Sequence, residues 1–123
     1  MILIAEDHPD SREALKVLLE ASGYEVALAE DGQEAIERAR MLHPDLIVMD
    51  IMMPNLDGFE ATRRLRKIDE FRQTPILALT ALEGAQSRVM EAGCNACVTK
   101  PIDIRRFLEI INRWLSRPQP NGI

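Results

Sequence analysis

The chain has 123 residues, of which 46% are hydrophobic, and this is enough for one globular domain with a single core. Its 15 basic and 20 acidic residues give a formal net charge of −5, which argues against a nucleic-acid-binding surface of the usual basic kind. The first apolar run begins at Ile2, is only a few residues long and has no basic lead-in, so it indicates neither a signal peptide nor a membrane span and favours a cytoplasmic protein.

Strand and helix patterns alternate along the chain. Short apolar runs bounded by polar residues predict strands, buried on both faces of a parallel sheet, at residues 2–5, 25–29, 45–49, 76–79 and 97–99. Apolar residues at helical spacing predict helices at about residues 10–22, 35–42, 59–70, 85–92 and 103–114. This alternation predicts an α/β fold with a doubly wound, five-stranded parallel sheet.

The last predicted helix marks the end of the domain. Its inward-facing side is expected to carry Ile104, Phe107, Leu108, Ile111 and Leu115. Two prolines in the segment that follows prevent the helix from continuing. We therefore expect one domain over residues 1–116 and a short C-terminal tail over residues 117–123.

Polar side chains stand where four of the predicted strands end. Glu6 and Asp7 follow the first strand, Asp50 the third, Thr80 the fourth and Lys100 the fifth. Because the carboxyl ends of parallel strands open at one edge of the sheet, we expect three acids, a hydroxyl and an ammonium in one crevice.

The residue types in this crevice predict metal and phosphoryl chemistry. Converging carboxylates repel one another unless a cation neutralises them, and oxygen ligands suit Mg²⁺, so Glu6, Asp7 and Asp50 predict a divalent-metal site. A carboxylate can also be the nucleophile in phosphoryl transfer. Asp50 is the best candidate, because it follows the central apolar strand and enters a proline-containing loop. Lys100 can supply a point charge and Thr80 a hydroxyl donor.

Each of these residues has a simpler explanation when it is taken alone. Glu6 and Asp7 could merely favour a helix N-terminus, Asp50 could form a turn, and Lys100 could be a solvated strand end. The ordered set at four strand ends argues against coincidence.

Two further motifs have functional and structural interpretations. The basic run at residues 63–67 is typical of a solvated helix face more often than of a nucleic-acid site. Cys94 and Cys97 form a C-x-x-C motif, but the predicted order is helix to strand, the reverse of a redox motif. Small buried side chains in a reducing compartment are the favoured interpretation.

The ordered motifs resemble the receiver domain of two-component response regulators, the CheY-like family. Residues 2–9 resemble its acidic-pair opening, 45–54 its phosphoacceptor strand and 57–58 the turn that follows. Residues 79–81 are similar to its switch strand and 98–101 to its Lys-Pro signature. The resemblance spans about residues 1–116 and implies a flavodoxin-like (βα)5 fold with strand order 2-1-3-4-5.

The resemblance also implies a phosphoacceptor site. Asp50 would accept a phosphoryl group from a histidine kinase or a histidine phosphotransfer protein. Mg²⁺ would be held by Glu6 or Asp7, by Asp50 and by the backbone carbonyl of Met52. The protein would assist its own phosphorylation and dephosphorylation and would not be an enzyme acting on another substrate.

A switch would follow from phosphorylation. The resemblance implies that Lys100 would pair with the phosphoryl oxygens and that Thr80, beside Ala81, would move toward them. It also implies that the Lys100–Pro101 peptide bond is cis. The domain would signal to a downstream protein or relay its phosphoryl group, without contacting nucleic acid or a membrane directly. It would be a monomer or a weak phosphorylation-linked homodimer.

Three positions set this chain apart. The family usually has Tyr or Phe three residues before the lysine, and here that position is Cys97, which cannot gate the same space. Met52 and Leu82 are apolar at positions that in the family influence the lifetime of the phosphoryl group, which predicts slow self-dephosphorylation.

Two alternative functions remain at this point. One is a phosphorylation-independent pseudo-receiver that serves as an interaction module. The other is an aspartate-nucleophile phosphatase of the haloacid-dehalogenase type, but that class requires a second acid two residues after the nucleophile, where this chain has Met52.

Overall fold

The computed structural model describes residues 1–82 and 84–116, over which five strands alternate with five helices. The strands are β1 (Ile2–Ala5), β2 (Val26–Ala29), β3 (Leu46–Asp50), β4 (Ile76–Thr80) and β5 (Ala96–Thr99). The helices are α1 (Pro9–Ala21), α2 (Gly32–Leu42), α3 (Gly58–Arg66), α4 (Gln86–Ala92) and α5 (Ile104–Leu115). A short 3-10 helix covers Asp69–Phe71. The predicted tail at 117–123 lies outside the described residues, and within them no helix is long and apolar enough to cross a bilayer.

The sheet is parallel throughout and has the order β2-β1-β3-β4-β5, so the predicted fold class and strand order are confirmed. Its register determines what meets at the carboxyl edge. Ala5 of β1 pairs with Met49 of β3, so the residues that follow them, Glu6 and Asp50, leave the sheet at the same level. Asp50 is itself paired with Leu79 of β4.

Alternate residues of the three central strands fill two cores. Leu3, Ala5, Ile47 and Met49 pack on the side covered by α2, α3 and α4. Their neighbours along the strands pack on the opposite side, under α1 and α5. The buried neighbours are Ile2, Ile4, Leu46 and Val48. The central strands are therefore inaccessible to water on both faces, as predicted.

The two edge strands differ from this prediction. Val26, Ala27 and Leu28 of β2 are only partly buried, and so are Ala96 and Cys97 of β5. Each edge strand has a neighbour on one side only, so the helices that flank the sheet cover it incompletely.

Helix α3 is shorter than its sequence pattern predicts. The pattern extends to Glu70, but the helix ends at Arg66, and Ile68 has extended backbone angles (φ −93°, ψ 120°). The 3-10 helix then turns the side chain of Phe71 into the core, where it is 1% exposed. Burial of this aromatic ring favours the turn over a continued helix.

The buried face of α5 also differs from the predicted one. Phe107 and Ile111 are buried as predicted, but Ile104 is 56% exposed at the first position of the helix. Ile110, which the pattern did not place inward, is buried, and Leu108 and Leu115 are partly buried against the same core. Ile104 instead lines an open groove beside α1, which leaves its side chain accessible.

The guanidinium of Arg66 joins α3, α4 and the start of β4. Its Nε donates to the carbonyl of Gly93 at 2.9 Å, and its Nη1 donates to the carbonyl of Thr74 at 2.8 Å. Its Nη2 donates to Asn95 Oδ1 at 2.7 Å, and the same oxygen accepts the backbone N–H of Ile76 at 2.8 Å. Burial lowers the pKa of Arg66. Among the residues that the structure describes, this partly buried cation is held by carbonyl and amide oxygens and not by a carboxylate.

Replacing Arg66 is expected to destabilise the fold. Arg66→Met leaves several partly buried oxygens without a donor, which should cost about 2 kcal/mol or more of unfolding free energy. Arg64→Met on the same helix is the matched control, because Arg64 is 51% exposed and forms a surface ion pair with Glu60, so its loss should cost under about 0.5 kcal/mol. Urea unfolding of both variants measures the difference, and equal stabilities would contradict the assigned role.

Candidate functional site

Three acidic side chains meet at the carboxyl edge of the sheet. Glu6 and Asp7 directly follow β1, and Asp50 is the last residue of β3. One carboxylate oxygen from each lies within 4.8 Å of those of the other two. Glu6 is 1% exposed and Asp50 3% exposed, whereas Asp7 is more accessible. The structure thus brings together the three acids that the strand ends predict to converge.

Lys100 reaches into this cluster from the end of β5. Its Nζ donates to Asp50 Oδ2 at 2.9 Å and to Glu6 Oε1 at 3.1 Å. Its backbone N–H donates to the carbonyl of Thr80 at 2.8 Å, which ties the end of β5 to the end of β4. The Lys100–Pro101 peptide bond is cis, as predicted. Lys100 is therefore an ion-pair partner of two acids and not a solvated strand end.

The electrostatics of the cluster reflect an excess of negative charge. Burial, and then the neighbouring Asp50 carboxylate, raise the pKa of Glu6 to about 7. Burial lowers the pKa of Lys100, but its hydrogen bonds to Asp50 and Glu6 outweigh this and leave that pKa above its ordinary value. When all groups are ionised, three carboxylates and one ammonium carry a net charge of −2 (−3 + 1).

The donor set fits a divalent cation of the Mg²⁺ type. Carboxylate oxygens are hard ligands, their spacing allows more than one to reach the same ion, and a charge of +2 would balance the net charge of the cluster. Glu6, Asp7 and Asp50 are the side chains available to hold it.

The loop after β3 fixes the orientation of Asp50. The backbone N–H of Met52 donates to Asp50 Oδ1 at 3.1 Å, while Oδ2 is held by Lys100. Gly58 closes the loop through its N–H, which donates to the carbonyl of Ile51 at 3.0 Å. A Cβ on Gly58 would lie 2.4 Å from the carbonyl oxygen of Asp50, so only glycine fits this position without displacing Asp50.

Thr80 lies at the end of β4, but its hydroxyl is bound within its own loop. Thr80 is 1% exposed, and its Oγ1 accepts the backbone N–H of Leu82 at 3.0 Å. An oxygen that accepts this bond keeps its own proton available for donation. The neighbouring Ala81 and Leu82 are exposed, and so is Met52, whose N–H binds Asp50, so two exposed apolar side chains follow Thr80 and Asp50 in the chain.

Cys97 lies on β5, three residues before Lys100, and packs against the core under α2, α3 and α4. Burial raises its pKa. Burial also raises the pKa of Cys94 to about 11, and the Cys94 sulfur lies 3.7 Å from Thr62 Oγ1. Thiols with raised pKa values are poor nucleophiles, which favours the structural interpretation of the C-x-x-C motif over the redox one.

Sequence reasoning missed Arg12, which supports the acid pair from α1. Its Nη1 donates to the carbonyl of Glu6 at 3.0 Å and to that of Asp7 at 3.2 Å, and its Nη2 lies 3.3 Å from Glu30 Oε1. An arginine in the first turns of the helix after an acid pair is the sequence signal that would have indicated it.

An apolar groove adjoins the site between α1 and α5. It has a volume of about 330 Å³ and is lined mainly by hydrophobic side chains, with Glu6 and Lys100 at one end. The hydrophobic lining includes Leu15, Leu18, Ile102 and Ile104. The exposed Ile104 is therefore part of a continuous apolar surface that leads to the acids.

Known proteins resemble this chain over most of its length. The family profile of the response regulator receiver domain matches residues 2–112. The polar-differentiation response regulator DivK of Brucella ovis is 40% identical over 116 residues, which cover 93% of this chain and 94% of the relative.

Solved structures show the same similarity. The receiver domain of sensor histidine kinase PA1611 from Pseudomonas aeruginosa PAO1, solved with a magnesium ion in its active site cleft, has a TM-score of 0.88 and 36% identity, covering 94% of this chain and 97% of that one. The chemotaxis protein CheY4 of Vibrio cholerae has a TM-score of 0.85 and 30% identity, covering 91% and 95% respectively.

The Cys94 thiol is expected to be protected from alkylation in the folded protein. At pH 8 only about one Cys94 in a thousand would be ionised, so iodoacetamide should leave it unmodified during a period in which the unfolded chain is alkylated at both cysteines. Peptide mass spectrometry distinguishes the two positions, and Cys97→Ser isolates Cys94. Rapid alkylation of Cys94 in the folded protein would contradict its burial and reopen the redox interpretation.

Proposed function

The chain belongs to the response regulator receiver domain family, and we propose that Asp50 is its phosphoacceptor. The observation that carries the proposal is the pair of contacts on the Asp50 carboxylate. Oδ2 is bound by the Lys100 ammonium at 2.9 Å and Oδ1 by the Met52 N–H at 3.1 Å. These contacts hold a buried anion at the end of the central strand in a fixed orientation.

The proposed reaction transfers a phosphoryl group to this carboxylate. An Asp50 oxygen attacks the phosphorus of a phosphohistidine, and the new P–O bond forms as the P–N bond breaks. The electron pair leaves with the imidazole nitrogen, which takes a proton from solvent. Lys100 would pair with the oxygens of the transferred group, and the Thr80 hydroxyl, whose oxygen accepts the Leu82 N–H and so keeps its own proton, would donate to one of them.

Glu6, Asp7, Asp50 and the backbone carbonyl of Met52 are proposed to hold Mg²⁺. The ion would supply positive charge for the phosphoryl oxygens during transfer. Lys100 binds both Glu6 and Asp50, so at least part of this pairing would be given up when Lys100 contacts a phosphoryl group.

The proposed partners follow from the surfaces around the site. The phosphodonor is a histidine kinase or histidine phosphotransfer protein, and the apolar groove beside Lys100 is the surface on which it would dock. The output is a change at the face formed by α4, β5 and α5, read by a downstream protein, or a relay to another histidine. We propose that this happens in the cytoplasm, with the domain a monomer or a weak dimer.

The proposed domain covers residues 1–116. The apolar lining of both sides of the sheet is supplied from β1 to α5, so these elements form one cooperative unit. The pseudo-receiver alternative predicts the same fold but no labelling at Asp50.

Phosphorylation from acetyl phosphate tests the proposed role of Asp50. The wild-type protein should gain one phosphoryl group by intact-mass spectrometry when Mg²⁺ is present, and little when the ion is chelated. Asp50→Asn should gain none. The control is Asp69→Asn, which removes a similar charge at a position that is 88% exposed and lies before β4, away from the acids. No labelling of folded wild-type protein would favour the pseudo-receiver alternative.

The apolar residues beside the acids should make the phosphorylated state long-lived. Met52 is 59% exposed and Leu82 39% exposed, and neither offers a group that can orient a water molecule for attack. Met52→Gln and Leu82→Gln should therefore each accelerate loss of the phosphoryl group several-fold.

The control for this measurement is Met90→Gln, an exposed methionine of α4 that lies outside the site. Decay is followed by mass spectrometry after removal of the phosphodonor. A phosphoryl lifetime of the wild type as short as that of the glutamine variants would contradict the expectation.

A further inference from the structure

The turn between β2 and α2 holds the β3–α3 loop, although it supplies no side chain to the acid cluster. Asp31 Oδ2 accepts a hydrogen bond from Asn55 Nδ2 at 3.1 Å. The N–H of Gly32 donates to the carbonyl of Leu56 at 3.1 Å. Two segments 24 residues apart in sequence are thereby joined at the outer side of the loop.

The approach at Gly32 is too close for any side chain. A Cβ there would lie 2.2 Å from the carbonyl oxygen of Leu56 and 3.0 Å from its carbonyl carbon, and both are backbone atoms. Such atoms cannot move aside without moving the loop. Glycine at position 32 therefore determines how near the loop lies to α2.

The loop is thus fixed at two places. Its inner part is closed by Gly58 against the carbonyl of Asp50, and its outer part is closed by Asp31 and Gly32. Met52 lies between the two. Asn55 adopts a left-handed backbone (φ 66°), which asparagine tolerates better than most residues.

We infer that Asp31, Gly32 and Asn55 are positioning residues that set the affinity of the acid cluster for Mg²⁺. The inference rests on the proposed function, because there the Met52 carbonyl, which this loop carries, is a metal ligand. Mg²⁺ requires near-ideal octahedral geometry, and a backbone ligand can be placed only by fixing the loop that contains it. Residues that orient metal ligands typically change affinity by about 10- to 100-fold when they are lost.

Asp31 has two roles that substitution can separate. Its Oδ1 accepts the N–H of Glu34 at 2.8 Å and caps α2, while Oδ2 holds Asn55. Asp31→Ser keeps a capping oxygen but loses the second acceptor. Asn55→Gly keeps access to the left-handed backbone but loses the amide donor. The two variants remove the same hydrogen bond from opposite sides.

The matched control is Asp103→Ser. Asp103 caps α5 by accepting the N–H of Arg106 at 3.2 Å. This substitution changes a helix cap of the same kind without touching the β3–α3 loop, so it reports the effect of capping alone.

Mg²⁺ binding to the full chain without phosphodonor, followed by isothermal titration calorimetry, tests the inference. Asp31→Ser and Asn55→Gly should each weaken binding about three- to tenfold, and Gly32→Ala by about tenfold or more. The double variant Asp31→Ser with Asn55→Gly should bind no more weakly than the weaker single variant, because one hydrogen bond is lost in each case.

A second readout separates positioning from general damage to the fold. At saturating Mg²⁺ the acetyl phosphate labelling rates of Asp31→Ser and Asn55→Gly should return to near the wild-type rate. If Asp31→Ser and Asn55→Gly lose labelling and excess Mg²⁺ does not restore it, the inference is overturned. It is also overturned if the wild type is labelled normally but these two variants bind Mg²⁺ as tightly as Asp103→Ser does. A wild type that neither binds Mg²⁺ nor is labelled would overturn the proposed function as well.

Discussion

The site depends on the ammonium of Lys100 between the carboxylates of Glu6 and Asp50. The register of β1 and β3 places these two buried acids at the same level, where their mutual repulsion would otherwise oppose folding. Lys100 comes from an edge strand, and its backbone bond to Thr80 sets how far it reaches. The carboxyl edge of the sheet is therefore stable only when strands from the beginning, middle and end of the chain are all in place.

The loops above the sheet are held by short, specific contacts and not by a core of their own. Arg12 binds the carbonyls of the acid pair, Gly58 closes the loop after β3, and the Asp31–Gly32 turn closes the same loop from outside. A packed sheet thus supports a polar surface whose segments are joined by a small number of hydrogen bonds and ion pairs. A packed sheet with loops held by few contacts suits a switch, because a local change of charge can move the loops without disturbing the core.

The sequence predicts β1, β3 and β4 within one residue, because strands buried on both faces leave uninterrupted apolar runs. The end of α3 was not predictable, since Phe71 reaches the core only through a turn that depends on tertiary packing. The convergence of Glu6, Asp7 and Asp50 follows from the parallel sheet alone. The hydrogen bond between Asp31 and Asn55 joins segments distant in sequence, so no local pattern records it. Arg12 binds carbonyls only five and six residues away, and its place in the helix after the acid pair is the local signal for that contact.

The hydrogen bonds around the Arg66 guanidinium affect how the stability of the domain changes with pH and ionic strength. Carbonyl and amide oxygens do not titrate and do not exchange partners with dissolved anions, so these bonds persist in acid and at high ionic strength. Ion pairs elsewhere weaken under the same conditions. At the amino-terminal edge of the sheet, the contact at the start of β4 is therefore made with dipoles, whereas the Lys100 contacts at the opposite edge depend on charge.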